Sequence, residues 1–166
     1  MDSNFLLILI IFSYLYPLYF LLVNYKKNRS ISNILCDNNC RKIISKCMFI
    51  MCIFLLLYEM NRYKKTSFIS ILGIIICINI LINTTESSVT HFISATLCII
   101  FMVLFMFINF GKSIILKFLF SLQLLFLLIL YFDLIIGNKI FISESLIFVT
   151  FGVYFFLLHC IEKKLI

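Results

Sequence analysis

Two histidines, seven acidic side chains and seven cysteines are the chain's stock of groups able to move a proton, hold a metal or form a covalent bond, hydroxyls aside. Of these, His91, Asp133 and His159 fall inside long apolar runs, and Glu86 lies at the edge of one. An ionisable group is expensive to keep in such surroundings, which makes each of them a candidate functional residue. A carboxylate and an imidazole at one depth can pair, hold a lipid headgroup or relay a proton. The competing reading is that they are interfacial groups meeting water, and His159, beside Glu162 and Lys163, fits that reading best.

The cysteines divide into two sets. Cys47, Cys52, Cys77, Cys98 and Cys160 lie in apolar runs, where cysteine behaves as a small packing residue. Cys36 and Cys40 lie in a polar segment, Cys-Asp-Asn-Asn-Cys, and form a local disulfide in an oxidising compartment or free thiols in the cytosol. A zinc site needs two more ligands, and none adjoins them. Neither a metal nor another cofactor is expected.

Known catalytic patterns are missing. Two histidines are too few to ligate two haems or to build a three-histidine zinc site, and there is no His-Glu-x-x-His, Gly-x-Ser-x-Gly or phosphate-cradling glycine loop. With no recognisable catalytic apparatus, a non-enzymatic role is favoured.

The elements that carry these residues follow from composition. The chain has 166 residues, is 64% hydrophobic and only 13% charged, so it has too little polar surface to coat a soluble globule. Its apolar residues come in long uninterrupted stretches, unlike the alternating segments of a membrane barrel, which makes the fold class all-α. A window of about 20 residues, the length a helix needs to cross hydrocarbon, gives six spans, with five as the alternative. They are Phe5 to Val23, Ile43 to Met60, Thr66 to Asn83, Val89 to Phe110, Ile114 to Ile136 and Leu146 to Ile161. The first lacks a basic flank and is too long for a signal core, so it reads as a permanent helix, kinked at Pro17. Residues 1–166 read as a single transmembrane domain, a multi-pass helical bundle.

Asn24 to Lys42 forms a basic first loop containing Lys26, Lys27, Arg29, Arg41 and Lys42. Alternating the six spans splits the 14 lysines and arginines evenly between the two faces, so charge alone leaves orientation open. Two glycosylation-type triplets, Asn28-Arg29-Ser30 and Asn83-Thr84-Thr85, fall on the face opposite the N-terminus and favour a lumenal or external position for it. The same threading brings Glu86, His91 and Asp133 to that face. Ser70, Gly73 and Cys77 on the third span, and Ser94, Ala95 and Cys98 on the fourth, form small-residue stripes that predict a tight hairpin turning His91 inward. Asn79 and Gln123 are expected to hydrogen-bond between helices. The net charge of +7 suits anionic headgroups on both sides, and nothing resembles a nucleic-acid reader.

Several short features follow one another in order. Ser30-Ile31-Ser32 comes after the first span, and the second ends in the basic turn Asn61-Arg62-Tyr63-Lys64-Lys65. Leu72-Gly73 then leads to Thr84-Thr85-Glu86-Ser87-Ser88-Val89-Thr90-His91 and on to Ala95. From Ser30 to Ala95 the chain resembles the family of the damage-regulated autophagy modulators (DRAM) and the related membrane proteins that remodel GPI anchors. The resemblance implies six helices, a cytosolic N-terminus, a role in lipid handling or membrane trafficking, and His91 and Ser32 as the leading site residues. The family's acidic and proline residues in the first loop are reduced here to Asp37.

The leading expectation is a non-enzymatic protein of an intracellular membrane that binds or organises lipid through Ser32, Glu86, His91 and Asp133, with lipids as partners and self- or mixed association through its helices. A small-solute or proton transporter, a structural or assembly protein such as a viral envelope component, and a lipid-modifying enzyme are the alternatives.

Overall fold

The computed structural model describes residues 3–23, 30–31, 38–62, 65–85, 88–136 and 140–163. Among them are six α-helices, a single 3-10 turn and no strand. The helices are α1 (Ser3–Val23), α2 (Asn38–Arg62), α3 (Lys65–Asn83), α4 (Val89–Asn109), α5 (Ile114–Ile136) and α6 (Ile140–Glu162), with the turn Phe110–Lys112 between α4 and α5. In apolar runs of this length only a helix satisfies every backbone N–H and C=O within its own segment, and this overrides the strand preference of the many isoleucines. The all-α class read from the sequence is the class observed.

Two boundaries move. α2 starts at Asn38 instead of Ile43, and α6 at Ile140 instead of Leu146, so the first loop is shorter than Asn24 to Lys42. Hydropathy discounts Arg41, Lys42, Ser143 and Glu144, yet Arg41, Ser143 and Glu144 have partners that let the helix extend through them. Arg41 Nε and Nη2 donate to the Ile82 carbonyl at 2.9 and 2.5 Å, and Glu144 Oε2 accepts the Ile31 N–H at 2.7 Å. α1 runs unbroken through the buried Pro17.

Contacts group the chain into two compact units whose boundary falls inside α4. Unit 1 comprises Met1–Tyr25 and Ser32–Met102; unit 2 comprises Lys26–Ile31 and Val103–Ile166. In unit 1, α1 packs on α2 and α2 on α3. The Arg41 bond joins the start of α2 to the end of α3, so these two helices are antiparallel. Leu6 and Leu7 of α1, Ile44 and Leu55 of α2, and Ile71 and Ile74 of α3 are core residues. The expected tight α3–α4 hairpin is not among the closely packed helix pairs. The reason is the Phe101 ring: a Cβ placed on Gly73 would stand 2.7 Å from it, so the space opened by glycine is filled by an aromatic side chain instead of a second backbone.

Unit 2 is organised around α5 and α6, the pair most closely packed there. Asp133 meets Ser143 at one end and Lys112 meets Glu162 at the other, which makes the pair antiparallel and fixes its register. The fully buried Phe105 stacks on Phe155 at 5.8 Å and meets Phe151 edge-on at 5.7 Å. Tyr154, also fully buried, donates its hydroxyl to the Met106 carbonyl at 2.7 Å near the end of α4.

Four helical stretches, Arg41–Arg62, Val89–Lys112, Ile114–Leu134 and Ile140–Glu162, are long and apolar enough to cross a membrane. Asn4–Phe20 and Ser67–Asn83 are shorter apolar stretches. Large apolar side chains such as Phe12, Phe92, Phe118 and Ile114 lie on their outer faces, where water would penalise them and lipid would not. These helices are those of an integral membrane protein.

Candidate functional site

The α3–α4 turn holds the best-defined of the expected residues. α3 ends in a series of side chains bonding back to their own helix, Asn79 Nδ2 to Ile75 O at 2.9 Å and Asn83 Nδ2 to Asn79 O at 2.8 Å. Thr84 continues it, donating its hydroxyl to Ile80 O at 2.8 Å. α4 then opens on Ser88, whose Oγ accepts the His91 N–H at 3.1 Å as an N-cap. The cap places His91 on the inner face of α4 with Ser94 and Cys98, all three buried. The inward position expected for His91 is observed, although the tight hairpin invoked for it is not.

Thr84 also meets the imidazole: His91 Nδ1 lies 3.1 Å from Thr84 Oγ1. With the single threonine proton on Ile80 O, Nδ1–H is the donor of this contact; with that proton on the ring, Nδ1 accepts. Arg41 docks on Ile82, two residues before Thr84, bringing a guanidinium to the same turn. This end of unit 1 thus combines a cation, a hydroxyl and an oriented imidazole.

Asp133 belongs to unit 2, where its carboxylate accepts from Ser143 Oγ. The adjacent Glu144 holds the Ile31 backbone, so two carboxylates lie at this end of the α5–α6 pair. His91 and Asp133 each have a bonding partner inside their own unit. Ser32, Cys36 and Glu86 lie outside the described residues, as does the side chain of Cys40. His159 is buried, at 2% exposure, instead of sitting in the open interface.

Asn79 and Gln123 do not make the interhelical bonds expected of them. Asn79 donates within α3, and the carboxamide of Gln123 has no hydrogen-bond partner among the described residues. Cys52, Cys77, Cys98 and Cys160 are buried free thiols, in keeping with a packing role, and Cys47 is partly buried. No group of three His, Cys, Asp or Glu side chains among the described residues is placed to share a metal ion.

Sequence reasoning passed over Glu59, which lies inside the span read as Ile43 to Met60. It is 1% exposed, and its Oε1 accepts from Arg62 Nη1 at 2.9 Å in an i,i+3 pair. The spacing to Arg62 was the available signal. It also passed over Lys112, whose ammonium donates to Asn109 Oδ1 at 2.9 Å and pairs with Glu162. That link joins residues 50 apart, and no local spacing announces it.

No protein family, curated protein or solved structure matches the chain.

Proposed function

We propose that this is a six-span protein of an intracellular membrane that binds and organises lipid, with its headgroup contact at the α3–α4 turn. The observation carrying the proposal is the convergence of Arg41, Thr84 and the oriented His91 at one end of otherwise apolar helices. A guanidinium suits a lipid phosphate, and an imidazole beside it adds a group able to hydrogen-bond a headgroup. Crossing by all six helices follows from the length of α1 and α3: at 1.5 Å per residue, 21 and 19 residues reach roughly 28–32 Å, close to the hydrocarbon thickness. The resemblance to the autophagy-modulator and GPI-remodelling proteins supports the same reading, with Ser32 and Glu86 as further headgroup contacts, a cytosolic N-terminus and the His91 end lumenal. Asp133 is assigned a separate contact at the polar end of unit 2.

The test is native mass spectrometry of lipids retained by the protein in nanodiscs made from its host membrane. Wild type is expected to keep a phospholipid that Arg41→Gln and His91→Ala both lose, with helical content unchanged. An identical lipid set in all three proteins would leave an assembly role, in which the helices themselves are the function. Thiol labelling of Cys36 from either side of sealed vesicles, with the other cysteines replaced, tests orientation: labelling from the cytosolic side would overturn the proposed topology.

A further inference from the structure

The buried stripe of α5 reads Leu116, Leu119, Gln123 and Leu130. Gln123 is its single polar member, 0% exposed, and neither its carboxamide oxygen nor its nitrogen has a hydrogen-bond partner among the described residues. Desolvating an amide without replacing its hydrogen bonds is costly, and most of all in hydrocarbon, where water does not rescue it. The end ties of the hairpin, Asp133 to Ser143 and Lys112 to Glu162, place Gln123 level with the Thr150–Tyr154 turn of α6. Thr150 and Tyr154 lie on the buried face of that helix. The Tyr154 hydroxyl proton is already committed to Met106 O, so it is not available to the amide as a donor. Between Lys117 and Asp133, α5 carries no ionisable side chain other than Tyr131, which is exposed.

We propose that Gln123 forms a binding site at mid-height of unit 2 for a buried water molecule, which both donates and accepts hydrogen bonds. A carboxamide presents a donor and an acceptor side by side, and one such molecule completes both. The absence of a nearby charge on α5 sets the ligand class: a charged guest would lack a counter-ion, while a neutral one needs none. The proposal is independent of the headgroup contact, which lies in unit 1.

Gln123 is the chain's only glutamine, so side-chain 15N-glutamine labelling yields one carboxamide signal. With the protein in nanodiscs of deuterated lipid, magnetisation transfer from water to that carboxamide reads occupancy directly. Transfer on the timescale of a bound molecule is expected. Replacing the amide by an apolar side chain of similar shape, Gln123→Met, is expected to lower Tm by about 2–4 °C, because the guest's hydrogen bonds are lost with it. Absence of transfer in the wild type overturns the proposal whatever the Tm. So does a Tm raised by Gln123→Met, since relief on removing the amide means that it had been buried without a bound molecule.

Discussion

The two units handle their polar groups in different ways. In unit 1 several polar side chains bond a backbone carbonyl one turn away in their own helix, as Ser13, Asn79, Asn83 and Thr84 do, while Arg41 and Thr84 also reach a second helix. Unit 2 has such local bonds at Asn109 and Ser121, but four of its polar bonds cross between segments: Ser143 to Asp133, Lys112 to Glu162, Tyr154 to Met106 and Ile31 to Glu144. A local bond forms with its helix and fixes no neighbour, whereas a crossing bond specifies which helix lies against which and in what register. Unit 2 is accordingly a hairpin locked at both ends, while unit 1 relies on shape, as the Phe101 ring over Gly73 illustrates.

This contrast can be broken by substitution, and thermal unfolding in detergent micelles or nanodiscs measures most of it. The largest effect is expected at Phe105→Ala, which removes a fully buried ring held among Phe151, Tyr154 and Phe155 and should cost about 3–5 kcal/mol. Next comes Gly73→Ala in unit 1, where a methyl collides with the Phe101 ring at 2.7 Å. A loss of about 1–3 kcal/mol is expected, recovered largely by adding Phe101→Leu; failure of that rescue would remove the shape argument for unit 1. Tyr154→Phe should cost about 1 kcal/mol by withdrawing one crossing bond from Met106 O. Lys112→Met is expected to cost about 1 kcal/mol or less, since its pair with Glu162 keeps some solvent contact. Smallest in stability is Thr84→Val, at about 0.6 kcal/mol, yet its 15N spectrum is expected to show a shifted His91 tautomer ratio. An unchanged ratio in that variant would show that Thr84 does not set it.

Much of the architecture was legible in residue order, because long apolar runs leave the backbone one choice. The starts of α2 and α6 were not. A hydropathy window counts Arg41 and Glu144 as a charge to be kept out, whereas in the fold each is satisfied by a backbone group, 41 and 113 residues away in the chain. Glu59 escaped for the opposite reason: surrounding leucines carry the window over it, and its pairing with Arg62 is visible only as spacing. His91 was found because an ionisable side chain inside an apolar run is conspicuous, but its hydroxyl partner depends on how α3 ends. Nothing in the composition around Met102 marks the boundary between the units, which is a property of contacts made elsewhere.

The bond between the Ile31 N–H and Glu144 also has a place in time. Its partners are 113 residues apart, and at about 5–20 residues per second the ribosome needs roughly 6–23 seconds to travel from one to the other. Throughout that interval Ile31 has left the ribosome's active centre without the carboxylate that will hold it, so this contact joins the fold only as α6 is inserted. A chain stalled or truncated before Glu144 has every earlier helix but lacks this tie to Ile31, which makes the bond a marker that synthesis has reached α6.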